Sequence, residues 1–255
     1  IAVSIGCTLS FWKLHPGRAG WEADIQQLEQ IITPHTRLLV LNIPNNPTGY
    51  LPTQQEFEAI VNIARKHGIM IFSDEMYRSL EYQPADRLPA ICDVYEHGIS
   101  LSGLSKSYAL PGLRIGWLAS QDGTLMDRWL SLKDYTTICN SAPSEILALI
   151  AVQNNAAILQ RNLEIIKANL KIADQFFGTH SSQFVWHAPR AGSIAFPEWT
   201  GKKSIDAFCQ DLLNRYSMMI VSGNMFDYAG NHFRIGLGRK NFHQGIDLLN
   251  EYCRP

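Results

Sequence analysis

Apolar runs of strand length recur near Leu38, Met70, Ser100 and Ile115, with helix-patterned sequence between them. That recurrence leaves few folds open, because strands alternating with helices build a mostly parallel sheet covered on both faces. The clearest intervening helix is Gln54 to Lys66. Thr53-x-x-Glu56 opens it as a capping box, Gly68 ends it, and Phe57, Ile60, Val61 and Ala64 form one apolar face for the sheet.

Beyond Pro143 the texture changes. Ser144 to Phe177 reads as helix over a long stretch with polar breaks at Asn154 and Asn155. Short strands around Val185, Ile194, Ile220 and Phe233 then alternate with two helices. The expected architecture is α/β: a three-layer αβα unit with a mostly parallel sheet over residues 1–153, then a smaller α+β domain over residues 154–255, with a site between them. Ile1 to Gly6 reads as the end of a helix closed by Gly6, and Cys7 to Leu14 as the next strand, so the chain is expected to begin in mid-domain. Repeats and low-complexity linkers are absent.

With 255 residues, 46% of them hydrophobic, the chain can bury a substantial core. A formal net charge of −1 without a Lys/Arg cluster argues against a nucleic-acid surface. Cys7, Cys92, Cys139, Cys209 and Cys253 form no Cys-x-x-Cys pair, which makes a disulfide framework or zinc site improbable and fits a reducing cytoplasm. No apolar run approaches membrane-span length, and Ile1 to Trp12 lacks the basic start of a signal peptide. The eight histidines show no ligand-like spacing, so each is expected at the surface or at a helix cap, and no metal is expected. Gly98 to Gly103 has the glycine spacing of a phosphate loop, yet Leu104-Ser105 follow where Lys-Ser/Thr should stand.

Three runs end in chemistry. Arg37 to Asn42, Ile69 to Ser73 and Gly98 to Ser102 are followed by loops carrying Asn46, Asp74 and Lys106 respectively. Each residue alone has an ordinary explanation. Asn46 before Pro47 is a turn residue, Asp74 can cap a helix, and most lysines are surface charges. In a parallel sheet, however, the loops beyond the carboxyl ends of the strands meet, and ligands bind there. An amide, a carboxylate and a primary amine would converge. That set suits pyridoxal phosphate, which needs a lysine for its Schiff base and an acid that keeps its pyridine nitrogen protonated.

Through Asn46-Pro47-Thr48-Gly49, Asp74-x-x-Tyr77, Ser105-Lys106 and Arg114, the chain resembles the class I/II pyridoxal-phosphate aminotransferases of fold type I over nearly its whole length. The resemblance implies that Lys106 is the Schiff-base lysine and the catalytic proton carrier. Asp74 would pair with the ring nitrogen, Asn46 and Tyr77 would donate to the ring oxygen, and Arg114 would grip the phosphate. Arg234, in His232-Phe233-Arg234-Ile235, matches the arginine that binds the substrate α-carboxylate, beside Asn46; an edge-strand charge facing water is the plainer alternative. Arg239 reads as solvated. The substrates implied are an amino acid and a 2-oxo acid, and the assembly implied is a homodimer.

The chain departs from this pattern in two places. Gly103 stands where many relatives carry a serine that binds phosphate, with Ser102 and Ser105 on either side, so a phosphate contact falls to Ser105. No Gly-Ser/Ala-rich phosphate loop with a ring-stacking aromatic precedes Asn46. The stretch Leu132 to Cys139, with Gly103 to Lys106, resembles a subgroup that includes capreomycidine synthase, so β-elimination or cyclisation is the second reading. A non-catalytic remnant is the third.

Overall fold

The computed structural model describes residues 1–17 and 20–254. A hairpin of β1 (Leu14–Gly17) and β2 (Gly20–Ala23) leads through α1 (Ile25–Ile31) to β3 (Leu38–Asn42), α2 (Gln54–His67), β4 (Met70–Asp74), α3 (Ile91–Val94), β5 (Gly98–Gly103) and β6 (Gly116–Ser120). Three helices follow: α4 (Gly123–Thr136), α5 (Ala142–Gln153) and α6 (Asn155–Thr179). The chain ends with β7 (Phe184–Val185), β8 (Ile194–Ala195), β9 (Glu198–Trp199), α7 (Ile205–Tyr216), β10 (Val221–Ser222), β11 (Phe233–Gly236) and α8 (Phe242–Cys253).

The main sheet has the order β3-β4-β5-β6. β3, β4 and β5 run parallel, with Asn42 opposite Asp74 and Asp74 opposite Leu101, and β6 closes the edge antiparallel. Gly98 to Gly103 is therefore strand, not a phosphate loop. A side chain is excluded at Gly103, where a Cβ would stand 2.9 Å from both Gly116 Cα and Ile115 O. The close approach of β5 and β6 accounts for the glycine where a serine was sought.

Local chemistry sets the helices. Thr53 Oγ1 accepts the Glu56 N–H at 3.2 Å while Glu56 Oε2 accepts the Thr53 N–H at 2.6 Å, so the capping box satisfies two donors that the first turn leaves over. Gly68, at φ 63°, adopts the left-handed turn that stops α2. Phe57, Ile60, Val61 and Ala64 are buried beneath Leu41 and Ile71 of the sheet. The long helical stretch breaks at Asn154, where α5 and α6 meet at a bend of 79°, and no single described helix is long and apolar enough to cross a membrane.

The start of the chain differs from the expectation. Ile1 to Gly6 makes one 3-10 turn, Val3–Ile5, closed by Gly6 at φ 84°, and residues 7–13 are irregular rather than a strand. The strand begins only at Leu14, because its partner is β2, whose Trp21 is buried with Tyr50 and Phe196.

Two larger cores lie behind these elements. One is aliphatic and joins α2 to the sheet. The other is aromatic: Phe176, Phe177, Phe184, Trp199, Phe208 and Phe233, with Trp199 stacked on Phe208 at 4.3 Å between ring centroids. Tyr77, Leu80 and Tyr82 reach into it from the turn after β4.

Candidate active site

Because β3, β4 and β5 are parallel, their carboxyl ends share one edge of the sheet. Asp74 is the last residue of β4 rather than the first of the loop, since its carbonyl still accepts the Ile43 N–H at 3.1 Å and continues the ladder. Its Oδ1 accepts the Met76 N–H at 3.1 Å, fixing the turn that carries Tyr77.

The loop after β3 is held by its own amides. Asn42 Oδ1 accepts the Asn46 N–H at 2.6 Å, and Asn45 Oδ1 accepts the Thr48 hydroxyl at 2.7 Å. Asn46 Oδ1 in turn accepts a hydrogen bond from Arg234 Nη1 at 3.1 Å, which leaves the Asn46 amide hydrogens as donors. Arg234 sits on β11, the middle strand of the sheet β10-β11-β8, with its guanidinium 5.2 Å above the centre of the Phe226 ring. It is half-buried and paired, not an edge charge facing water. Tyr77 is buried with Gly192 against its ring. Burial pushes its phenol pKa up, the Arg234 charge opposes this and Asp74 adds to it. At neutral pH the phenol is therefore a proton donor lying within the fields of both Arg234 and Asp74.

Lys106 occupies the turn after β5, exposed, and its Nζ has no hydrogen-bond or ion-pair partner among the described residues. Its position is set by Ser107. The buried Ser107 hydroxyl faces the carbonyls of Met76 at 3.0 Å and Arg78 at 2.6 Å, tying the lysine loop to the Asp74–Tyr77 turn. Asn162 of α6 donates to Ser107 O at 2.9 Å. Sequence reasoning missed Asn42, Ser107 and Asn162. A signal existed for the last, since Asn162 and Asn169 interrupt an apolar helical pattern at a two-turn interval, and both are buried with backbone carbonyls as partners.

Two predicted residues stand apart. Ser105 is half-buried without a hydrogen-bond partner among the described residues. Arg114 adopts a left-handed conformation, φ 55°, closing the 3-10 turn Pro111–Leu113, and its Nη1 folds back onto Pro111 O at 2.8 Å. It is exposed and makes no hydrogen bond to the other candidates among the described residues, its side chain being bonded to the turn it closes. The partners for a pyridinium N–H, a ring oxygen, a carbonyl and a carboxylate thus fit pyridoxal phosphate, while the Arg114 guanidinium is turned to its own backbone.

An α/β sheet with a carboxylate, a buried phenol and an amide at its carboxyl edge, an arginine bonded to that amide, and on the adjoining loop a lysine unpaired among the described residues has the features of the fold-type I class of pyridoxal-phosphate enzymes. The chain belongs to the class I and II aminotransferase family, whose model matches residues 1–241. Pyridoxal phosphate is the cofactor of this family. Capreomycidine synthase of Streptomyces vinaceus is 27% identical over 254 residues, 98% of this chain and 64% of its own length. Aspartate aminotransferase of Thermotoga maritima is 25% identical over 91% of this chain and 58% of its own. Among solved structures, a PLP-dependent aminotransferase from Streptococcus suis superposes with a TM-score of 0.90 at 31% identity, covering 98% of this chain and 66% of that one. The PLP-dependent cyclase OrfR does so with a TM-score of 0.86 at 27% identity, covering 98% of this chain and 67% of that one. The chain thus spans about two thirds or less of these relatives.

Proposed function

We propose that this chain carries the lysine and substrate-binding residues of an aminotransferase that moves an amino group between an amino acid and a 2-oxo acid. The observation that carries the reading is the Arg234–Asn46 hydrogen bond, 3.1 Å, which joins the amide at the end of β3 to a guanidinium 188 residues later. Pyridoxal phosphate, when bound, supplies an electron sink for negative charge at the substrate Cα. Lys106 would hold the cofactor through its amine and would serve as the group that accepts the proton at the substrate Cα. Asp74 keeps the ring nitrogen protonated by offering it an anionic partner. Tyr77 and Asn46 donate to the ring oxygen, and Arg234 receives the substrate carboxylate with its planar fork. In this reading residues 1–153 hold the cofactor and residues 154–255 bring Arg234 to it. A homodimer is the proposed assembly, and the exposed apolar side chains of α5 support it.

The test is reductive labelling. Incubation with pyridoxal phosphate, borohydride reduction and peptide mass spectrometry are expected to place the label on Lys106, and Lys106→Ala to abolish it. Turnover that depends on an added 2-oxo acid then separates transamination from the second reading, elimination or cyclisation, which the similarity to capreomycidine synthase and to a PLP-dependent cyclase favours. Absence of any specific label from both this chain and a longer form that includes it overturns the proposal.

A further inference from the structure

A second cluster of chemistry lies in the smallest core, where β2 meets the segments around β8, β9 and β11. His187 and His232, expected at the surface or at helix caps, are 7% and 4% exposed. Their surroundings are aromatic: Trp21 lies 5.5 Å from the His187 ring and 5.4 Å from the His232 ring, and Phe196 stacks on His232 at 5.2 Å. His187 Nε2 and both ring nitrogens of His232 are buried without a hydrogen-bond partner among the described residues. Leaving a buried polar atom unpaired costs about 1–3 kcal/mol, so three in one pocket call for a missing partner. Glu198 faces His232 directly across an antiparallel bridge. It is half-buried, and its carboxylate has no hydrogen-bond or ion-pair partner among the described residues. One ligand atom from each of His187, Glu198 and His232 lies within 4.8 Å of the others.

We propose that His187, Glu198 and His232 form a site for a divalent transition-metal ion of the zinc type, with water completing the coordination. Two imidazoles and one carboxylate are a three-ligand set that zinc accepts with a fourth position open. Nitrogen donors select such an ion over calcium or magnesium, which prefer oxygen alone. Bonds of about 2.1 Å in a tetrahedron place ligand atoms about 3.4 Å apart, so a set whose atoms lie within 4.8 Å of one another closes by no more than roughly 1.4 Å. Trp21 Nε1, also buried and unpaired among the described residues, offers a donor to a metal-bound water. His232 and Arg234 are alternate residues of one extended segment and so share a face. A metal on His232 would brace the strand that presents Arg234. The site itself does not depend on the proposed reaction.

The test uses the 255-residue chain stripped with a chelator and titrated with zinc or cobalt. One equivalent is expected to bind, with a cobalt visible spectrum of nitrogen and oxygen ligation that lacks the thiolate charge-transfer band the free cysteines would give. His187→Ala and Glu198→Gln are each expected to weaken binding by more than roughly 100-fold, beyond what loss of a supporting group costs. Glu198→Gln, the conservative change, guards against simple unfolding, which near-ultraviolet circular dichroism reports. Undiminished binding in Glu198→Gln, a thiolate band in the cobalt spectrum, or no stoichiometric binding at all overturns the proposal.

Discussion

Phe208 and Ile146 are both large apolar residues on helices, yet the first is fully buried and the second 62% exposed. The contrast holds for their surroundings. The aromatic core draws α6, α7, α8 and the strands between them around one another. By contrast, Leu147, Leu149 and Ile150 of α5, Val40 of β3 and Trp117 of β6 lie open. A set of elements close in sequence buries most of its large apolar side chains, whereas the sheet and α5 hold apolar area available for burial elsewhere. Stability and recognition are therefore expected to reside in different parts of the molecule.

The sharpest way to break this contrast is truncation. Phe208→Ala is expected to cost about 3–5 kcal/mol in denaturant unfolding, whereas Ile146→Ala stays within roughly 0.5 kcal/mol. Equal losses would mean that the α5 face is covered in solution. Ser107 joins the two parts, so Ser107→Ala, which removes the donor to Met76 and Arg78, is expected to lower stability by about 1–3 kcal/mol and to reduce labelling of Lys106. Unchanged labelling would show that the lysine loop holds its own shape.

Glu75 tests the sheet side by pH. Burial raises its pKa from 4.5, against the hydrogen bonds from Ile91 N–H and the Ser100 hydroxyl and the charge of Arg78. With the folded value above the unfolded one, the native state binds more protons. Stability is then full below the unfolded pKa and declines as pH rises towards the folded value. Thermal melts of Glu75→Gln are expected to lose that component of the decline; parallel profiles would contradict it. The smallest effect is chemical. Burial pushes the Cys209 and Cys253 thiols up to about 11, while Cys7 and Cys139 are exposed in the open part. Alkylation near neutral pH is expected to modify Cys7 and Cys139 first, read by peptide mass spectrometry.

Local signals carried much of the fold. The Thr53 capping box and Gly68 were legible because caps depend on neighbouring residues, and the three strands because each is an apolar run of strand length. Leu14–Gly17 was not, since Leu-His-Pro-Gly carries no apolar run and contains a proline. At the site, Asn46, Asp74, Tyr77 and Lys106 were visible as polar residues following strands. Arg234 could be assigned only by resemblance, and Arg114 took a conformation that its spacing does not encode. Ser107 escaped notice because a serine becomes a tether only when the carbonyls of a distant turn arrive beside it. His187 and His232 escaped for the same reason, being 45 residues apart in sequence and 5.9 Å apart between ring centres.

The contact between Arg234 and Asn46 has a meaning for assembly as well as for binding. Joining groups 188 residues apart carries a closure entropy on the order of 5 kcal/mol, several times the net worth of one hydrogen bond. That bond cannot hold the two ends of the chain together; the packed cores do so, and the pair forms once they are in place. It is consequently a weak contact in the finished molecule. If Arg234 receives a substrate carboxylate as proposed, that group would take it from Asn46 at little cost to the fold that brought them together.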